Sequence, residues 1–322
     1  MSEPELGIDV AKKKFDVLLM LGDKTLKKIF DNTPKGFKLL QGWLAGLKID
    51  RVHACLEATG PYSEPLAEFL FEHGHRVAMV NPFRIRSFAN SDLKRNKTDP
   101  ADARTIAEFC RAKKHHLQDW HPLAPEIKEL RELSRRLNVL ERLLASEKNR
   151  RESVRGPKVR SSLDRVIADL KKEIKCVEKL IKEHIKNNPD LKHQRDLLQT
   201  IPGIGEKTAQ LLLAEIEFAS FDSARDVAAY AGVTPRKSDS GTSKKSTRLS
   251  KLGSARIRKA LFFPAIVAKK HNQIVNNFAR RLGDNGKTKM QVIGACMRKL
   301  LHIAFGVLRN HRPFEPNLAS YA

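Results

Sequence analysis

Leu6-Gly7-Ile8-Asp9-Val10, then Phe15-Asp16-Val17-Leu18-Leu19-Met20-Leu21, then Lys24 to Asp31: these three runs decide the fold. They are apolar, short and separated by hairpin distances, so they read as three antiparallel strands. The rhythm then changes to a helical pattern from Lys35 to Leu47, a strand from Val52 to Glu57, a helix from about Ser63 to His73 and a strand at Arg76 to Val80. Hairpin strands followed by strands alternating with helices predict a mixed α/β sheet covered by helices. In such a sheet the first and fourth strands can be neighbours. Asp9 on the first and Glu57 at the end of the fourth would then meet.

Two more carboxylates lie in Arg95-Asn96-Lys97-Thr98-Asp99-Pro100-Ala101-Asp102-Ala103-Arg104. Pro100 suits the first turn of a helix, with Thr98 or Asp99 as its cap, and the helix continues through Ile106 and Phe109. At a spacing of three, Asp99 and Asp102 share a face. Acids at a helix start are also plain partners for its dipole, and that reading stands beside the functional one. Four acids gathered together repel one another unless a cation sits among them. Hard oxygen ligands suit Mg²⁺ or Mn²⁺. Two such ions roughly 4 Å apart would activate an attacking oxygen and neutralise a leaving one in phosphoryl transfer.

A chain of 322 residues has room for two or three domains with real cores. No apolar run approaches the ~20 residues of a membrane span, and Met1-Ser2-Glu3-Pro4-Glu5 has no export character, so a cytoplasmic protein without membrane contact is expected. Cys55, Cys110, Cys176 and Cys296 stand singly in apolar patterns and read as buried core thiols. The net charge is +24. Between Pro235 and Lys259 nine basic residues face one acid, Asp239, which names nucleic acid as the partner.

From Pro125 to Ser146 apolar residues recur at Ile127, Leu130, Leu133, Leu137, Leu140 and Leu144. After a Gly156-Pro157 break they recur at Leu163, Val166, Leu170, Ile174, Val177, Ile181 and Ile185. Two long amphipathic helices joined by a turn are an antiparallel pair or a dimerising coiled coil. Arg135, Arg136, Arg150 and Arg151 on their outer faces fit RNA contact or a solvated surface equally. Leu197 to Ala209, with Gly203 and Gly205, has the form of a helix-hairpin-helix whose free N–H groups could hold a phosphate beside Lys207, although a plain packing turn has the same signature. Val233 to Gly253 is polar and basic, with five serines, and composition alone would also allow a disordered linker. Helices follow from Ser254, kinked at Pro264, to Lys270, and from Met290 to Leu308. Arg256 and Arg258 near the first helix start are placed for a phosphate.

The runs Gly7-Ile8-Asp9-Val10-Ala11-Lys12, Leu56-Glu57-Ala58-Thr59-Gly60-Pro61-Tyr62, Asn81-Pro82 and Arg95 to Arg104 resemble the N-terminal domain of the DEDD transposases of the IS110 family, bridge-RNA-guided recombinases of insertion sequences. Downstream, Gly-x-x-Pro-Arg ending at Arg236, the Ser240-Gly241 pair and a basic run ending in Ser250-Lys251-x-Gly253 resemble their C-terminal domain. The resemblance implies a RuvC-like, ribonuclease H fold over 1–118, a coiled-coil dimerisation region over 119–190, and a mainly helical transposase domain over 191–322 carrying the helix-hairpin-helix. It makes Asp9, Glu57, Asp99 and Asp102 the metal-holding acids and Ser240 the covalent nucleophile. It also implies donor and target DNA, a bridge RNA, and a dimer assembling into a tetrameric synaptic complex. By composition, Ser238 and Ser243 compete with Ser240.

Chemistry gives its own reason for a serine: attack by its oxygen leaves a phosphoserine ester that another strand's hydroxyl can resolve, so the bond energy is kept. Arg236, Lys237, Lys244, Lys245, Arg248 and Lys251 would stabilise the charge that builds on phosphorus. The helix pair separates acids from serine along the chain, which predicts a site shared between protomers. Two rival readings remain at this point. One is a RuvC-like junction-resolving nuclease that uses water; the other is a non-catalytic RNA-binding scaffold.

Overall fold

The computed structural model describes residues 3–58, 60–91, 99–236, 239–240, 243–244 and 248–316, with the side chains of 99–101, 239–240 and 243–244 outside the description. Two compact units divide it, Met1–Leu123 and Ala124–Ala322.

The first unit is built on a five-stranded sheet in the order β3-β2-β1-β4-β5. Its strands are β1 (Glu5–Val10), β2 (Lys14–Leu21), β3 (Lys24–Asp31), β4 (His53–Glu57) and β5 (Arg76–Val80). The hairpin strands pair antiparallel, and β4 joins β1 in parallel, with β5 beyond it. This is the mixed sheet that the sequence predicts. Alternation explains why both faces are covered. Leu6, Ile8 and Val10 of β1 pack with Leu40 and Leu44 of helix α1 (Pro34–Gly46) and Leu66 and Leu70 of α2 (Glu64–Glu72). On the other face, Leu18 and Met20 of β2 pack with Ala103 and Ala107 of α4 (Asp99–Lys113). The outer strand β3 exposes Lys24, Lys27 and Lys28, charges that discourage pairing at the free edge.

Helix α3 (Pro82–Ser91) was not expected. Asn81 starts it, its Oδ1 accepting the Phe83 N–H at 2.8 Å, and Ile85 buries its apolar side. A single buried anchor among Arg84, Arg86 and Ser87 left no periodic signal to read. The cap expected at Thr98 falls outside the described residues.

The second unit opens with α5 (Pro125–Ser153) and α6 (Pro157–Asn187), broken at Gly156 as the sequence indicates. They form a pair within one chain, tied near the turn by Arg151 and Asp164. One expected core position is corrected: Val166 is 43% exposed while Ile167 is buried. Both fit a step of three or four from Leu163, and the contact goes to the larger side chain. Cys176 is likewise exposed on α6, whereas Cys55, Cys110 and Cys296 are buried.

The proximal halves of α5 and α6 share one core with α7 (Pro189–Gln199), α8 (Glu206–Glu215), α9 (Ala224–Tyr230), α10 (Ala255–His271), α11 (Gln273–Asp284) and α12 (Lys289–Asn310). α11 is a second helix absent from the sequence reading; Asn272 caps it, accepting from Val275 N–H at 3.2 Å. α12 also corrects an expectation, since it is 22 residues long and apolar enough, by length and composition, to cross a membrane. Its most apolar window is 61% buried inside the unit, so that apolarity serves the core.

Candidate functional site

The acidic end is set by strand register. Parallel pairing opposes Ile8 to Leu56, so Asp9 and Glu57, each one residue further, stand on neighbouring strands and on one face. That face is the one under α4. A Cβ on Gly7 would lie 2.3 Å from the Ala103 carbonyl oxygen and 2.4 Å from the Ala107 nitrogen, so helix and strand touch backbone to backbone. Asp102 precedes that contact by one residue and is half-buried, as are Asp9 and Glu57. Behind them Cys55 and Cys110 share a hydrogen bond; it keeps the proton on Cys55 and, with burial, holds that thiol well above the ordinary range.

The hard oxygen donors and their placement suit a divalent cation such as Mg²⁺ or Mn²⁺. The expected convergence of four acids is not complete, however: among the described residues no three His, Cys, Asp or Glu side chains gather closely enough to hold an ion. The side chain of Asp99 lies outside the description.

The serine end belongs to the second unit. β6 (Pro235–Arg236) pairs with β9 (Arg248–Leu249), and β7 (Asp239–Ser240) with β8 (Ser243–Lys244), both antiparallel. Ser240 therefore stands on a narrow ribbon, directly opposite Ser243. Lys237, Ser238 and Lys245 fall outside the described residues. Arg236 and Arg248 are exposed and directly opposed across the outer ladder, where like charges destabilise unless an anion lies between them. Lys251 is exposed in a left-handed conformation, φ +57°.

The base of the ribbon is fixed by close packing. Gly253 has φ +142°, and a Cβ there would lie 2.3 Å from the Tyr230 oxygen. Arg258, expected to meet phosphate, donates through Nη1 to the carbonyls of Ala231 at 3.2 Å and Gly253 at 3.0 Å, tying the two ends of the segment together. Arg256 stays exposed, with Glu215 at 3.7 Å. Buried Glu215 also receives Arg135 of α5 at 3.2 Å. Sequence reasoning placed Arg135 on an outer face and missed this link, because nothing local marks Glu215 as buried.

In the expected helix-hairpin-helix, Gly203 has φ +107° and a Cβ there would meet Ala268 of α10 at 2.7 Å, so it serves a packing turn. Gly205 has open space around it and caps α8. Lys207 is held by Glu178 at 2.7 Å and Glu141 at 3.6 Å, which raises its pKa through the Glu178 hydrogen bond.

A mixed sheet with acids on its parallel strands, followed by a helical unit carrying a basic serine ribbon, suits an enzyme of phosphoryl transfer on DNA. Residues 6–154 match the DEDD transposase family of IS110, and residues 195–280 match the transposase IS116/IS110/IS902 family. Pilin gene-inverting proteins of Moraxella bovis and Moraxella lacunata are each 35% identical over 99% of both chains. The T. thermophilus RuvC structure in complex with a Holliday junction substrate is matched with a TM-score of 0.27 and 13% identity, over 37% of this chain and 100% of that one. The chain belongs to the IS110/IS116/IS902 family of DEDD transposases, with a mixed-sheet domain followed by a mainly helical transposase domain.

Proposed function

We propose that this transposase joins DNA strands through a phosphoserine intermediate on Ser240, with Asp9, Glu57, Asp99 and Asp102 holding Mg²⁺ or Mn²⁺. The observation that carries the reading is the side-by-side placement of Asp9 and Glu57 under α4 by the β1–β4 register. A bound divalent cation would supply charge neutralisation at the scissile phosphate. The Ser240 oxygen attacks phosphorus and loses its proton to solvent, while the bond to the departing strand breaks and leaves a hydroxyl. A hydroxyl of a second strand then attacks the phosphoserine and releases the serine, so the number of phosphodiester bonds is unchanged. Arg236 and Arg248, opposed on the ribbon, supply positive charge to the transition state.

The relatives named for gene inversion support exchange between two sites on one DNA molecule, and insertion differs from inversion only in how the two sites are disposed. A bridge RNA that aligns donor and target DNA is the partner implied by the resemblance, and the charge of +24 accommodates two polyanions together. The α5–α6 pair separates the acids from Ser240 along the chain, the ground for proposing a site assembled from two protomers of a dimer or tetramer.

Trapping tests the chemistry. Purified protein with its co-purifying RNA is incubated with plasmid carrying the DNA that flanks its gene, then denatured. A protein–DNA adduct is expected for the wild type and for Ser243→Ala, and none for Ser240→Ala. Cleavage without any adduct makes the enzyme a water-using nuclease and overturns the reading. Co-assembled Ser240→Ala and Asp102→Ala chains regain partial activity if the site is shared, and none if each chain is self-sufficient.

A further inference from the structure

Leu249 of the serine ribbon rests on α12 at Gly294, where a Cβ would stand 3.3 Å from three atoms of the leucine side chain. Arg298 and His302 follow Gly294 at intervals of four, so they continue the same side of the helix away from that contact. Both are half-buried, and Lys299 beside them is too. Arg298 Nε donates to His302 Nε2 at 3.4 Å, which requires a neutral imidazole with its proton on Nδ1.

Every charged neighbour that acts on His302 is a cation. Burial and then Arg298, Lys299 and Arg225 of α9 push its pKa down to about 4. Lys299 is lowered as well, by burial and by Arg281 of α11. Three helices thus direct positive charge onto one half-buried strip. Among the described residues Arg298 and His302 have no carboxylate in ion-pairing range, in contrast to Arg135 and Lys207, whose acids are in place. Like charge around Arg298 and His302 is destabilising by itself and favourable once an anion covers it.

We propose that Arg298, Lys299 and His302 of α12, with Arg225 and Arg281 flanking them, form a phosphate track for the DNA strand that runs into the Ser240 ribbon. Its partner is a DNA backbone, because the strip leads from the ribbon that carries the nucleophile; the inference rests on that reading of Ser240. Phosphate contacts of this kind fix register without reading sequence. Covering the strip supplies the counter-charge that His302 lacks, so its imidazole takes up a proton as DNA binds. Affinity should therefore rise as pH falls through the His302 pKa of the complex.

Two measurements test the track in full-length Ser240→Ala protein, which binds without cutting. The first is duplex DNA affinity against salt concentration, by fluorescence anisotropy. The slope of log K on log salt should flatten by about 0.9 for each phosphate contact removed, hence by about 1.8 in Arg298→Gln/Lys299→Gln. The second needs no variant in the track: the His302 imidazole, followed by NMR, should titrate at higher pH when duplex is added. An unchanged slope in a double variant that melts normally overturns the track. So does a His302 titration indifferent to DNA, or a slope change confined to an RNA hairpin probe. Neither result depends on which serine attacks, so failure here leaves the adduct test of Ser240 standing, and failure there leaves DNA binding measurable.

Discussion

Asp9 and Glu57 stand on neighbouring strands of a five-stranded sheet, over a core whose residues Leu6, Ile8 and Leu56 are fully buried. Ser240 stands on a strand of two residues paired with another of two, on a ribbon fixed at its base by Gly253, Arg258 and Leu249. The acids are positioned by a ladder that many contacts overdetermine. The serine is positioned by three anchors. Groups that hold a cation must keep their spacing before substrate arrives, whereas a nucleophile that receives one strand and passes it to another must remain accessible to both.

The largest effect is expected at the chemistry itself. Asp9→Ala or Asp102→Ala should reduce strand transfer about 10³-fold or more. Melting should stay near the wild-type temperature, measured in parallel, because both side chains are half-buried at a surface of the unit. Next comes the support of each end. Gly7→Val drives a side chain into the α4 backbone and should cost about 3 kcal/mol by chemical denaturation, as overpacking does. Arg258→Leu leaves the carbonyls of Ala231 and Gly253 without their donor, at about 1–3 kcal/mol. If the comparison holds, Arg258→Leu slows adduct formation more than its stability cost suggests, while Gly7→Val loses activity in step with folding. Equal behaviour would remove the distinction between a rigid end and a tethered one. The smallest effect belongs to Lys207→Ala: its partners are solvent-accessible and the lysine itself is 69% exposed, so about 0–1 kcal/mol is expected from thermal melts.

Much of the first unit was legible because each strand is a short apolar run with turn chemistry at both ends. The β1–β4 neighbourhood followed from mixed-sheet topology, and with it the pairing of Asp9 with Glu57. α3 and α11 escaped for opposite reasons. α3 buries only Ile85, too little for a period. α11 follows α10 with only Asn272 between them, so a cap hidden in a helical pattern is its sole boundary. In α6, the choice of Ile167 over Val166 depends on what the facing helix presents, which no local spacing records. At the serine end, motif and charge indicated a basic segment carrying the Ser240-Gly241 pair. They could not separate Arg258, spent on two carbonyls, from Arg256 at the surface, because that difference arises only when Tyr230–Gly232 and Gly253 come together in space.

The parallel ladder between β1 and β4 has one more implication. Side chains along a strand alternate with a period of two, so inserting one residue before Glu57 would turn its carboxylate to the α1–α2 side and leave Asp9 facing a hydrophobic neighbour. The interval between these acids is thus quantised by the backbone. It can be changed only in jumps that destroy the pair, and adapting to a cation of another radius would have to come from Asp102 on α4, which belongs to no ladder.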